Sequence, residues 1–189
     1  MTTTSRLTAA VLTLAATIAA APAGADEVTD ALQGAIDAYQ TGDVGYALDE
    51  LEYAKQLMSA MKTEELVAFL PPAPEGWTRA VNTQMNASLA MMGGGTGAEA
   101  EYSGPGARFT VTLMADNPMV GAMAGMLGSA AALGARIERV GRQKFMVQDS
   151  EITGLVDSRI LVKAAGGDEA VMLATLKTID YRALSGFGR

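Results

Sequence analysis

The chain has no cysteine and no histidine among its 189 residues, and only one tryptophan. Without Cys there is no disulfide, no thiol nucleophile and no lipid-modified cysteine. Without His there is no imidazole base, and zinc sites built on His or Cys are excluded with it. Positive charge is also scarce, with 14 Lys and Arg against 21 Asp and Glu and a net charge of −7. That balance argues against nucleic acid or an anionic membrane as the main partner. Any catalysis here rests on carboxylates, Lys, Tyr or Ser.

The first residues carry an export pattern. Arg6 supplies the charge of a short n-region, residues 7–20 form an apolar core, and Ala23-Gly24-Ala25 is a small-residue cleavage site. A mature start at Asp26 and a periplasmic location follow as expectations. The apolar run is short for a span, so no stable membrane insertion is expected. Residues 26–75 hold eleven acidic and two basic residues, a balance of −9, whereas residues 76–189 balance at +1. An acidic face of this kind is ordinarily a solvated helix surface, and its functional reading is docking onto a basic protein partner.

That acidic segment has helical spacing. Val28, Leu32, Ala35, Ile36 and Tyr39 recur on one stripe, and Thr41-Gly42-Asp43 breaks it. Asp43 caps a second helix, with Ala47, Leu48, Leu51, Ala54, Leu57, Met58 and Met61 expected on its buried face. A short third helix is expected at 64–70, capped by Thr63. Within residues 28–59, Ala35, Tyr39, Gly42-Asp43, Ala47, Leu51 and Ala54 resemble one tetratricopeptide-type helix pair. It lacks the early Trp of that pattern and the Pro after its second helix. A single such unit implies a helical hairpin and not a peptide-binding solenoid.

Pro71-Pro72-Ala73-Pro74 halts all helix. The chain thus divides into a signal peptide (1–25), an acidic helical hairpin (26–70), a Pro-rich linker (71–76) and an α+β domain (77–189). Trp77 anchors the junction by burying a large ring. Strands are expected at 77–81 and 88–92, and Gly93-Gly94-Gly95-Thr96-Gly97 is a flexible connection without the Lys of a phosphate cradle. Residues 98–103 and 107–115 alternate strictly, around Gly104-Pro105-Gly106, as half-buried strands do. Glu99 and Glu101 belong beside Arg108 on the wet face. Asn117-Pro118 opens a helix running to about 133.

The clearest stretch is 135–164. Six-residue apolar and β-branched runs are separated by Gly141-Arg142, Asp149-Ser150 and Asp157-Ser158, dipeptides spaced eight residues apart. Two-residue turn signals at this spacing predict a four-stranded antiparallel meander. A last helix carries Val171, Met172, Thr175, Leu176 and Ile179, capped by Asp168. The fold class is therefore α+β, an antiparallel sheet covered by two helices behind a helical hairpin. The strand–helix–meander–helix order resembles an α/β sandwich of the PsbP/Mog1 type. Leu70-Pro71, Gly76-Trp77, Ala115-Asp116-Asn117-Pro118-Met119 and Arg159-Ile160-Leu161-Val162 resemble exported proteobacterial proteins of unassigned role.

Three chemistries are open. Arg136, Arg139, Arg142 and Lys144 form a basic group at the first turn of the meander, a binding candidate for the acidic hairpin or for a partner. Met119, Met123 and Met126 share a stripe with Gly121, Gly125 and Gly128. Core packing is the ordinary use of such residues, with the glycines permitting close approach to the sheet. Soft thioethers also suit Cu(I), which would make this a metal-binding protein. A carboxylate-dependent enzyme is the third reading, but no nucleophile elbow or supported carboxylate pair is present. The favoured expectation is a non-catalytic binding module with no cofactor. Titration of Cu(I) into the protein and into a variant with Leu at 119, 123 and 126 is expected to give equal, weak binding. Tight binding lost in the variant would establish the metal reading.

Overall fold

Seven antiparallel strands and six helices make up the computed structural model, which describes residues 23–129 and 134–189. Residues 1–22, holding most of the expected signal peptide, and 130–133, the expected end of the methionine-rich helix, lie outside that description. The helices are α1 (Ala23–Gln40), α2 (Val44–Val67), α3 (Met85–Met91), α4 (Pro118–Ser129), α5 (Glu169–Leu176) and α6 (Tyr181–Ser185). The strands are β1 (Thr78–Asn82), β2 (Thr96–Gly104), β3 (Ala107–Ala115), β4 (Arg136–Val140), β5 (Gln143–Gln148), β6 (Glu151–Val156) and β7 (Ile160–Ala165). The chain is α+β, with more strands than the meander and one β-hairpin alone required.

The meander stands where its turn dipeptides place it. Asp149, Ser150, Asp157 and Ser158 all have positive φ, between 50° and 62°. Two successive left-handed residues are the mark of the turn whose twist matches the flanking strands. Gly141 provides the left-handed position of the first turn at φ 60°. One sheet results, in the order β1-β2-β3-β7-β6-β5-β4. Its central joint pairs Val111 with Ala164 and Leu113 with Val162.

One sheet face is the core. Ala98, Ala100 and Tyr102 of β2, Phe109, Val111 and Leu113 of β3, and Ile152, Ile160 and Val162 are all buried there. Met172 and Leu176 of α5, Leu184 of α6 and Phe187 cover them, joined by Leu66 at the end of α2 and Leu70 just beyond it. Burying Leu66 and Leu70 is worth about 1.5–3 kcal/mol each and fixes the helical hairpin to the sheet. The Pro-rich stretch is strapped down as well. The buried Tyr102 hydroxyl donates to the Pro71 carbonyl at 2.7 Å, and the Arg79 guanidinium donates to the Leu70 and Pro71 carbonyls. Burial pushes the Tyr102 phenol up to about 12, against the lowering pull of Arg79.

Four expectations are corrected. The separate helix at 64–70 does not exist, because nothing breaks α2 before Val67, and the Thr63 hydroxyl donates to the Ser59 carbonyl inside that helix instead of capping a new one. The strand expected at 88–92 is instead α3: the Asn86 amide bonds both the N–H and the carbonyl of Gly97, and Leu89 fills the space beside that glycine. An added Cβ at Gly121 or Gly125 meets no described atom within 4 Å, so those glycines do not serve close approach of α4 to the sheet. Arg108 stands opposite Ser103, on the same face as Glu99 and Glu101 as expected, but the expected charge pairing is missing: it makes no ion pair with either among the described residues. Thr112 and Ser103 donate to those two carboxylates.

Where a glycine is required, the reason is local. At Gly154 an added Cβ would lie 2.6 Å from the Phe145 ring and 3.0 Å from the Lys144 carbonyl. Gly154→Ala is therefore expected to cost about 1–3 kcal/mol in urea unfolding, the usual range for overpacking.

Candidate functional site

The α1–α2 pair is packed through alanine. Ala31, Ala35 and Ala38 of α1 and Ala47 and Ala54 of α2 are buried in the seam. The Glu50 side chain lies across Gly34, 3.4 Å from where a Cβ would stand. Small residues draw the two backbones together, and the larger apolar residues expected inside remain outside. Leu48 is 61% exposed and Tyr39 71%, with Leu32, Ile36, Leu51, Met58 and Met61 also exposed. Of the stripes the sequence marks, Ala35, Ala47 and Ala54 are buried as expected, and the larger residues just named are not.

Successive helical residues turn by about 100°. Counted from the alanine seam, Leu32, Ile36 and Tyr39 fall on one flank of α1, and Val44, Leu48 and Leu51 on the matching flank of antiparallel α2. That flank is apolar. On the opposite flank Asp30 and Asp37 of α1 fall beside Tyr46, Glu50 and Tyr53 of α2. The contact of Glu50 with Gly34 confirms that matching side. The helical hairpin thus presents two unlike surfaces, one greasy and one acidic and aromatic.

The apolar flank leads into a cleft of about 820 Å³. Lys55, Ser59, Thr63 and Val67 of α2 form one wall, on the helical stripe that begins at Leu48. The other wall is Val81 of the edge strand β1, Thr83 just after it, Asn86 and Ala90 of α3, and Gly94-Gly95-Thr96. Gly93, Gly94 and Gly95 all have positive φ, from 90° to 112°. A Cβ at Gly95 would come within 2.9 Å of the Ala115 carbonyl, and the Asn117 amide donates to the Gly94 carbonyl. The glycine run is therefore a held wall of the cleft and not a loose connection. Exposed Met91 and Met92 stand at the end of α3, next to this loop, and a Cβ at Gly93 would lie 3.3 Å from the Pro118 ring, with exposed Met119 following.

Beneath the cleft, a charged clasp ties four segments. Asp116 bonds Arg159 at 2.6 Å and Lys62 at 3.1 Å, and Arg159 also donates to the Phe187 carbonyl. The Lys62 ammonium lies over the Phe187 ring, 5.6 Å from its centroid. Asp116 is left-handed at φ 57°, a cost tolerated because Asp populates that region and two cations hold it there. Burial pushes the Asp116 carboxyl up, but the hydrogen bonds and charges of Arg159 and Lys62 outweigh it and hold the group below its usual value. Glu151 behaves alike: its own burial is outweighed by Lys163 and the Thr153 hydroxyl.

The basic group divides. Arg136 is paired with Glu138 and Glu169. Arg139 and Lys144 face each other directly across the β4–β5 register, and Arg142 is exposed in the turn. Among the described residues none of these three has an ion-pair partner. A second cleft, of about 720 Å³, joins Gly141, Arg142 and Gln143 to Tyr181, Arg182 and Ser185. Met119 is exposed and Met123 half-buried, and the side chain of Met126 lies outside the described residues. No three Asp or Glu side chains among the described residues are gathered to hold a metal. None of the described helices is long and apolar enough to cross a membrane. The cleft was not foreseen, because its walls come from segments that share no motif; the glycine run was its only sequence signal.

Comparison with known proteins returned no match to a family model, a curated protein or a solved structure.

The clasp makes a pH prediction. A carboxyl held low contributes stability that is present above its unfolded value and lost as pH falls through the folded one. In Asp116→Asn, which tolerates the left-handed backbone, the deficit relative to the parent protein should be largest at neutral pH. It should shrink as pH drops below about 4, measured by urea unfolding across pH.

Proposed function

We propose that this chain is an exported, non-catalytic binding module that takes an amphipathic segment of a partner protein along the apolar flank of its helical hairpin and into the adjoining cleft. The observation that carries this is where the exposed apolar surface lies. Of the fourteen exposed large apolar side chains among the described residues, Leu32, Ile36, Tyr39, Val44, Leu48 and Leu51 lie on the apolar flank, and a further three, Val81, Met91 and Met92, belong to the cleft wall or the end of α3 beside it. Scattered exposed apolar residues are ordinary, but a continuous patch framed by polar surface marks an interaction site. Laying an apolar helix face into such a groove is a recurring recognition mode.

The chemistry of the chain supports binding over catalysis. Asp116 and Glu151 are kept charged by neighbouring cations, the reverse of what a general acid at neutral pH needs. Export rests on the leader pattern of residues 1–25, and release of a mature protein beginning at Asp26 into the periplasmic fraction is its expected signature.

Because the chain has no Cys, a photo-crosslinker can be placed through a single thiol. Attached at Leu48→Cys or at Ser59→Cys, it should yield the same partner adduct, whereas Thr110→Cys on the other sheet face should yield none. Leu32→Asp should abolish the adduct from position 48 while leaving the circular dichroism spectrum unchanged. Equal adducts from all three positions would overturn the assignment of the surface.

A further inference from the structure

The acidic flank of the helical hairpin and the basic tip of the meander are complementary, yet in the structure they make no ion pair with each other among the described residues. The tip is Arg139, Arg142 and Lys144. Arg139 and Lys144 stand directly opposite each other on paired strands, an arrangement that costs stability unless an anion is brought between them. Half-buried Ile137 and Met146, also paired in that register, flank them. Arg142 and Arg182 line the cleft beside the turn. The acidic flank presents Asp30, Asp37 and Glu50 with exposed Tyr46 and Tyr53. Carboxylates beside tyrosine rings are what a guanidinium or ammonium group finds favourable, through ion pairing and cation–π contact together.

Within the chain they do not meet. The hairpin packs on β2 at one side of the sheet, and β4 is the opposite edge strand, five strand spacings from β2 or about 24 Å. Two hairpins cannot satisfy each other, since residues 26–75 carry −9 in each copy. Two tips repel for the same reason. Arg136, the one member of the basic group with carboxylates of its own, is already satisfied by Glu138 and Glu169.

We infer that the acidic flank of one copy receives the Arg139–Arg142–Lys144 tip of a second copy, so that the chain associates head to tail. Such a contact uses two different patches, and unless the rotation closes a ring it propagates into an open series. It engages the flank opposite the apolar one, so the cleft remains free in every copy. Exposed ion pairs are weak singly and screened by salt, which makes the association concentration-dependent and reversible.

Sedimentation velocity of the purified protein tests this. In low salt the weight-average sedimentation coefficient should rise with concentration without reaching a fixed plateau, and association should weaken about tenfold or more as the Debye length falls from about 30 Å to about 3 Å. Two doubly neutralised variants are informative: Arg139→Ser with Lys144→Ser, and Asp30→Asn with Asp37→Asn. All four positions are exposed, and each variant should retain the parent circular dichroism spectrum. Each alone should be monomeric. Mixed, they should form a species that stops at one copy of each, because only one acidic flank and one basic tip survive. A monomer at every concentration in low salt overturns the inference. So does a closed dimer unaffected by the tip variant, which would place the contact on the apolar flank.

Discussion

The pairing of β3 with β7 is the contact on which the rest of the molecule depends. It joins a β-hairpin and its edge strand, β1 to β3, to the meander, β4 to β7, across about fifty residues of chain. Without it there are two separate antiparallel units, one of three strands and one of four, each with an open edge. With it, Val111, Leu113, Val162 and Ala164 form one continuous apolar floor. The helices gather on that floor, and the clasp of Asp116 with Arg159 closes the joint at the end where both strands meet their turns.

The helical hairpin is a different kind of object. Its helices hold each other through alanine, which loses no side-chain entropy on burial, and hold the sheet only through the end of α2. Its large residues contribute little to the fold. A stretch whose apolar residues are spent on the outside is organised for contact, and the proposed binding follows from that distribution.

The meander was legible because its signal is local. Two-residue turns leave no freedom of register, so dipeptides spaced eight residues apart dictate strands to within a residue. The helical hairpin was legible as helices but not as surfaces. Hydrophobic period marks the stripe of α1 that holds Leu32, Ala35, Ile36 and Tyr39, while packing centres on its alanine edge, Ala35 with Ala31 and Ala38, where the backbones approach more closely. Residues 88–92 misled for another reason: a short apolar run has no period of its own, and Asn86 decided the matter through a contact with Gly97 eleven residues away. The cleft lay beyond reach altogether, since α2, β1, α3 and the glycine run meet only in three dimensions. The basic group was readable as charge, but its division into a satisfied Arg136 and an unsatisfied tip depends on register.

The strand order has a consequence for how the chain comes into being. β7, which lies at the centre of the sheet, is the last strand to be synthesised. Until Ile160–Ala165 emerges, β3 ends the first half of the sheet with an open apolar edge, and β6 ends the second. Each incomplete half is a template for the wrong neighbour, including the same half of another nascent chain. Completion comes as a single late event, when one central strand closes both edges at once.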